Sequence, residues 1–512
     1  MTVSACLPRG RMARWIQGGK TMLKWIGLLG AAALLPACAT RGTLDIECAE
    51  ADLKRTALEP SQLVQDIQSG KPVAETLSVK REDGTSLASK SAAQVAEEAA
   101  LVNAFVTAGG EPRHSLLLSG GGQWGAYGAG FLAALEEGGK MPDFERVTGV
   151  STGALQALFV GALNDSDLGP QERKKLTGLL MASYRPAAER EIVYRHGWKG
   201  WAVISGSFAG LTPLRDRIYG RLCDSATECP LIRHLANSTT EVLVGYVGAS
   251  DGVFYYSNIT EIARIAYPDG RNPGPPGALK RARQCIAGAA LASAAMPVFF
   301  QQVRIGSGAD WKTYYDGGVR QSVFEANAAE RVDRVVTLMK ERREQEIKAQ
   351  LNSSDKDRVA LKSLTNAELP ALYVLRNGPT VLIRKHEDAA FDRKGNALDT
   401  ALRAQTILVN QLEVQSIADL RLAHPKGYIW LRTADGFDRK PETDGEIGSS
   451  PPRSRTPDEV VETRPCVKNP PEAMFSPSFM GCLMRYGREH GAKGNWIRLS
   501  ELDLKPRAES GQ

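Results

Sequence analysis

Long apolar runs are missing from this chain. The one candidate, residues 25–37, has 13 residues, where a bilayer-spanning helix needs about 20. Histidine is scarce, with six in 512 residues, and no cysteine–histidine spacing matches a metal site. No ligand cluster implies calcium, and no cofactor is expected. Internal repeats are absent. One-sided charge is missing as well. The formal net charge is +6, but residues 1–37 hold five of the 64 basic side chains and no acid, which leaves 59 basic groups against 58 acidic ones. That balance gives no argument for nucleic acid as a partner. What is present, 43% hydrophobic and 24% charged residues, describes a globular protein with ample apolar material for a core. A length of 512 residues exceeds one compact domain of typical size and fits one α/β core with large additions.

The N-terminus reads as an export signal. Arg9, Arg11, Arg14, Lys20 and Lys24 surround or precede the short apolar stretch, which closes in Leu35-Pro36-Ala37-Cys38. A cysteine directly after a small residue resembles the lipobox of bacterial lipoproteins, in which that cysteine becomes the lipidated first residue of the mature chain. Residues 1–37 are therefore expected to be a lipoprotein-type signal peptide, with Cys38 as the lipidation site and membrane attachment point. Met22, followed by Leu23-Lys24, offers a second start. Ala39 follows Cys38 where an aspartate would resemble an inner-membrane retention signal, so the expected location is the bacterial cell envelope, at the outer membrane. Cysteine use agrees with an oxidising compartment. Cys223 and Cys229 flank a short polar loop and could pair, as could Cys466 and Cys482, whereas Cys285 lies in an apolar helical pattern and reads as a buried thiol.

Residues 38–110 form a polar N-terminal extension, with a helix expected over 92–106 and no further placement. From about residue 113 strands alternate with helices. Strands are expected over 115–118, 145–150, 241–248, 252–256, 312–315 and 332–338, and helices over 126–137, 154–163 and 278–295, the last ended by Met296-Pro297. That alternation predicts an α/β fold on a mainly parallel sheet for residues 111–345. Residues 346–512 are expected to pack on this core, with strands at 371–375 and 428–431 and a long amphipathic helix over 402–422. A Pro-, Gly- and Ser-rich exposed loop at 434–462 and a capping helix over 476–490 follow. Residues 195–201 could touch a membrane through their two tryptophans, and read more readily as a loop packed over the core.

Three separated motifs carry chemistry. Gly149-Val150-Ser151-Thr152-Gly153 stands between a strand and a helix. A serine at such a turn is held out of the sheet, and the helix that starts there favours a developing anion. Gly120-Gly121-Gly122 with Gly125 also joins a strand to a helix and exposes backbone N–H groups that can bind phosphate or an oxyanion. A dinucleotide fingerprint would need an acid at the end of the next strand, but that strand ends in the serine turn. Asp316-Gly317-Gly318 follows a third strand, and Asp316 could accept the Ser151 proton if the two are in reach.

In order and spacing, the three motifs over roughly residues 113–345 resemble the patatin-like phospholipase family. Supporting stretches are LLLSGGGQWGAYGAGFL from Leu116, VTGVSTGAL from Val147, AGAALASAAMPVFF from Ala287 and YDGGV from Tyr315. The resemblance implies a three-layer α/β fold, a mainly parallel central sheet with helices on both faces, and a Ser-Asp dyad. By motif, Ser151 would be the nucleophile, Asp316 the base, and Gly120, Gly121 and Gly122 the oxyanion hole. Plant-type members often carry Asp before the glycines and Arg or Lys near the motif's end, where this chain has Ser119 and Trp124. With no cation at Trp124 to meet a phosphate, the implied substrate is an acyl ester of a lipid rather than a phospholipid in particular.

Two other readings stay open at this stage. One is a non-catalytic envelope lipoprotein that uses the fold for binding. The other is a Ser-His-Asp esterase acting on soluble short-chain esters. The triad would need a histidine after Asp316, and His386, His424 and His490 all read as solvated. His114, His196 and His234 precede Asp316 and fit that order worse.

Overall fold

In the computed structural model, residues 42–58, 114–196, 206–326, 371–381, 397–423, 429–437 and 474–499 are described. They begin with β1 (Thr43–Glu47), β2 (Arg55–Ala57), β3 (His114–Leu118), α1 (Gly125–Glu137), β4 (Phe144–Val150), α2 (Thr152–Leu163) and α3 (Pro170–Ser183). Next come β5 (Tyr194–Arg195), β6 (Ser207–Gly210), α4 (Thr212–Leu222), α5 (Pro230–Asn237), β7 (Glu241–Gly248), β8 (Phe254–Asn258), α6 (Ile259–Ala266) and α7 (Ala278–Ser293). β9 (Val298–Phe300), β10 (Gln302–Ser307), β11 (Asp310–Asp316), β12 (Leu372–Leu375), α8 (Ala397–Ala423), β13 (Ile429–Arg432), α9 (Pro477–Lys493) and β14 (Ile497–Arg498) follow. The strand expected at 332–338, the helix expected at 92–106, His386, His424 and Cys466 lie outside the described residues.

The large sheet runs β1-β10-β11-β7-β4-β3-β12-β13-β14, with β8 and β2 continuing from β7. Its middle, β7-β4-β3-β12-β13, is all parallel. β12 thus lies inside the sheet, hydrogen-bonded to β3 on one side and β13 on the other. The N-terminal segment also joins it, since β1 pairs in parallel with β10. A separate three-stranded sheet runs β5-β6-β9.

Side-chain alternation sorts the core into two layers, as the two-residue period of a strand requires. Leu116, Leu118, Val147, Val242 and Val244 pack on one face with Phe131, Phe159 and Leu291 of α1, α2 and α7. Leu117 and Val374 point the other way and pack with Val323 and with Ile417 and Leu420 of α8. Helices therefore cover both faces, giving the expected three layers. α9 lies along α1, and Gly130 and Gly487 let the backbones close: a Cβ on Gly487 would stand 2.0 Å from the Tyr127 carbonyl oxygen. Phe437 and Ala434, expected in an exposed loop, are buried; Phe437 packs edge-on against Trp124 and Phe479.

Cys223 and Cys229 form a disulfide, as their spacing suggested. Cys285 is a correction. It is bonded to Cys48 across 237 positions and is not a free thiol. The apolar helical pattern around Cys285 is real, but the pairing of β1 with β10 carries Cys48 to α7, an event that no local pattern encodes. Cys482 is disulfide-bonded too.

A crosslink closing so long a loop removes much of the unfolded chain's freedom, on the order of 5 kcal/mol in the chain-entropy picture. Replacing both residues, Cys48→Ala with Cys285→Ala, is expected to lower the unfolding free energy by roughly 3–5 kcal/mol, read as a clearly lower midpoint in urea titrations. An unchanged midpoint would contradict this account of the N-terminal strand.

Candidate active site

Ser151 follows the last residue of β4 and precedes α2. Its backbone sits at φ 53° and ψ −121°, a region that side-chain-bearing residues rarely occupy. Neighbours hold it there. The Ser151 N–H donates to Ser293 Oγ at 2.8 Å, and Ser293 Oγ donates to the Gly245 carbonyl at 2.5 Å. Gly153 lies so close to the end of β3 that a Cβ would stand 2.3 Å from the Leu118 carbonyl oxygen. Gly149 is pressed in the same way against the Gly153 carbonyl. The turn is strained because strand β4 and helix α2 meet with no room for a gentler path. The result is a half-buried serine hydroxyl at the N-terminus of a helix.

Asp316 reaches Ser151 through the sheet. β4 and β11 lie on the same edge of β7 and meet end to end there: Val150 pairs with Gly245, and Asp316 pairs with Tyr246. The carboxyl accepts a hydrogen bond from the Gly318 N–H at 2.8 Å and is hydrogen-bonded to the Ser151 side chain. Burial pushes it up to about 7; the bonds from Ser151 and Gly318 pull it down, and the nearby Glu413 carboxylate adds to the rise. Gly317 packs against Val150 and the Gly245 carbonyl, closing the junction.

The glycine loop forms the third wall. A Cβ on Gly120 would stand 3.4 Å from the Ser151 Cβ. Gly121 has φ 142°, and a Cβ there would meet the Asn377 carbonyl oxygen at 1.9 Å, so no other residue fits. Gly122 opens the short 3-10 turn Gly122–Trp124 at φ 54°. The Gly121 and Gly122 N–H groups precede the first donor of that turn, the Trp124 N–H that bonds the Gly121 carbonyl, and so have no intrahelical partner. The Gly120 N–H is committed elsewhere, donating to Ser322 Oγ at 3.3 Å. Of the three glycines expected to donate to an oxyanion, Gly121 and Gly122 keep that capacity in this state. Gly125 sits where α1 crosses α2, its Cβ position 2.0 Å from Thr152 Oγ1. Trp124 turns inward, edge-on to Phe437 and Phe479.

Residues 116–329 match the family model described as patatin-like phospholipase. These residues are a patatin-like phospholipase domain. The family supports lipid acyl hydrolase activity in general, and the three-layer α/β architecture agrees with it. Among solved structures the chain is similar to VipD from Legionella pneumophila at 12% identity, covering 75% of this chain and 67% of that one, with a TM-score of 0.26. A likeness that slight carries no argument. No curated protein sequence matches the chain.

Histidine does not enter the patatin-like site among the described residues. His490, expected to be solvated, is partly buried against Tyr486 and hydrogen-bonded through Nδ1 to Tyr127 OH at 3.1 Å. His234 pairs with Asp165 at 2.8 Å between α2 and α5, and His114 Nδ1 accepts the Ala371 N–H.

Sequence reasoning missed the residues that hold the glycine loop. Asn377, just beyond β12, donates its backbone N–H to Ser119 Oγ at 2.8 Å and its side chain to the Ser119 carbonyl at 2.7 Å. Its amide also exchanges hydrogen bonds with Gln156, which donates to the Gly125 carbonyl. On the other side Ser322 bonds Glu413 of α8, and Glu413 pairs with buried Arg376 at 3.0 Å. Burial raises the Glu413 carboxyl, and Arg376 opposes that rise. The available signal was positional: Arg376-Asn377 stands at the carboxyl end of an expected parallel strand, where α/β sheets place ligand-facing residues. Replacing Asn377 by Ala is expected to slow fluorophosphonate labelling of Ser151 about 10–100-fold, less than the roughly 100–1000-fold cost of deleting an oxyanion donor outright, because Asn377 acts by holding the loop. Labelling kinetics followed by gel fluorescence, on protein with unchanged circular dichroism, check this; a wild-type rate would refute the clamp.

Proposed function

We propose that this protein is a lipid-anchored acyl-ester hydrolase of the cell envelope that works through a Ser151–Asp316 dyad and an acyl-enzyme. The observation that carries the reading is the hydrogen bond between a serine on a strained strand-to-helix turn and a fully buried carboxylate. Ser151 Oγ attacks the ester carbonyl carbon, and its proton passes to the Asp316 carboxylate. The carbonyl oxygen becomes an oxyanion, which the Gly121 and Gly122 N–H groups and the α2 N-terminus stabilise. Collapse breaks the bond to the alcohol, which leaves with the proton from Asp316. Water then gives a proton to Asp316 and attacks the acyl-enzyme; the fatty acid leaves and Ser151 recovers its proton. The anchor expected at Cys38 would hold the enzyme at its substrate's surface.

A base must be ionised to act. With Asp316 held at about 7, kcat/KM for a lipid ester is expected to rise through that pH and level off above it. Rate profiles between pH 5 and pH 9 test this, and a flat profile would contradict it. Stability should move the opposite way. The folded-state pKa lies above the unfolded one, so the contribution of Asp316 is full below the ordinary carboxylate pKa and is lost as pH rises through about 7. Asp316→Asn should therefore abolish hydrolysis while raising the melting temperature at pH 8 more than at pH 5. Loss of both activity and stability at pH 8 would count against this assignment.

A further inference from the structure

Strand β1 starts close to the dyad. Thr43 pairs with Gln302, and Val303 stands opposite Tyr314, so one further step sets Gln302 level with Tyr315. Adjacent strands lie about 4.8 Å apart, which puts Thr43 about 10 Å from the residue next to Asp316. The chain reaches Thr43 past Gln301: a Cβ on Gly42 would stand 3.6 Å from Gln301 Nε2. Five peptide steps connect Cys38 to Thr43, a reach of about 18 Å at full extension. Whatever holds Cys38 is therefore within roughly 30 Å of Asp316.

The same edge carries exposed apolar side chains. Residues 295–302 link the dyad to the point where β1 begins, since the Ala295 carbonyl accepts the Asp316 N–H at 3.0 Å. Within this segment Val298 is 45% exposed, and Tyr194, in the same small sheet, is 63% exposed. On the other side Gln405 of α8 donates to the Pro297 carbonyl at 2.9 Å, and Ile407 and Leu408 beside it are 48% and 62% exposed. Of the six large apolar side chains exposed among the described residues, three (Val298, Ile407 and Leu408) thus gather around one segment, whereas Tyr194 pairs with Gly210 at the far end of β6. Scattered exposed apolar residues need no explanation, but a cluster at a short tether does.

We infer that this rim, formed by Val298, Ile407 and Leu408, is the face that docks on a lipid surface, with Cys38 as the tether that presents it. The inference rests on the reading of Cys38 as lipidated, and it deepens the proposed hydrolase by turning the mouth of the Ser151 site to the bilayer. A leash this short keeps the rim at high effective concentration over the membrane, so three partly exposed side chains suffice where they would bind weakly alone. The loop at 138–143, ahead of β4, stands six strand steps or about 20 Å from Val150 and faces away.

Hydrogen exchange tests the docking without requiring activity. The full chain, held by its own anchor in phosphatidylethanolamine–phosphatidylglycerol vesicles, is compared with the Cys38→Ser protein in solution. Exchange is expected to slow about fivefold or more in peptides covering 298–300 and 404–411 and to stay unchanged at 138–143. Protection at 138–143 in place of the rim, or no protection at the rim, overturns the proposal, as does an N-terminal peptide without acyl groups. A second measurement uses Ile407→Asp with Leu408→Asp. The ratio of vesicle-lipid hydrolysis to hydrolysis of a water-soluble short-chain ester should fall about tenfold, and an unchanged ratio contradicts the docking face. If wild type hydrolyses neither ester, the hydrolase reading has failed on its own, and the exchange pattern still decides the docking.

Discussion

On one edge of β7, two strands arrive from opposite directions and stop. β4 runs parallel and ends at Val150; β11 runs antiparallel and ends at Asp316, one position further along. The site depends on that junction. A slip of one residue in either pairing would shift its side chain by about 3.3 Å and turn it to the other face of the sheet. The junction is guarded by close contacts. Gly317 packs against Val150 and the Gly245 carbonyl, and Ser293 ties that same carbonyl to the Ser151 N–H. The strain at Ser151 is sustained because the surrounding layers leave its backbone no alternative.

Among the described residues, segments far along the chain hold the third wall of this junction. The patatin-like match ends at residue 329, yet the glycine loop is fixed by Asn377 beyond β12 and by Glu413 on α8. These later segments complete the sheet and the second helical layer, and their polar residues reach the site from behind. Buried charge is compensated locally: Arg376 meets Glu413 and Asn410, so the second carboxyl near Asp316 stands next to a cation. Among the described residues no such cation acts on Asp316, and burial is the largest cause of its raised value.

How much of this was legible from residues alone follows from how local each feature is. Ser151, Asp316 and the three glycines were legible because the motifs that carry them span only a few positions each. Strand-turn-helix settings around them were readable for the same reason. Asn377, Ser322 and Glu413 were not, because their partners are Ser119, Gly120 and Ser322, up to 258 positions away. Their function exists only once β12 pairs with β3 and α8 closes over the far face. Cys285 failed in the same manner: its helical surroundings were read correctly, but Cys48 arrives by strand pairing. Phe437 looked solvated beside a polar loop and instead completes the aromatic cluster on Trp124.

The central claim is that Ser151 is activated by Asp316. The most direct measurement is the mass of the folded protein after brief exposure to a fluorophosphonate at pH 8, with the adduct mapped by peptide sequencing. The account predicts one adduct, on Ser151, formed quickly by wild type and at least about 100-fold more slowly by Asp316→Asn. An adduct on another residue, or equal rates for the two proteins, would contradict it.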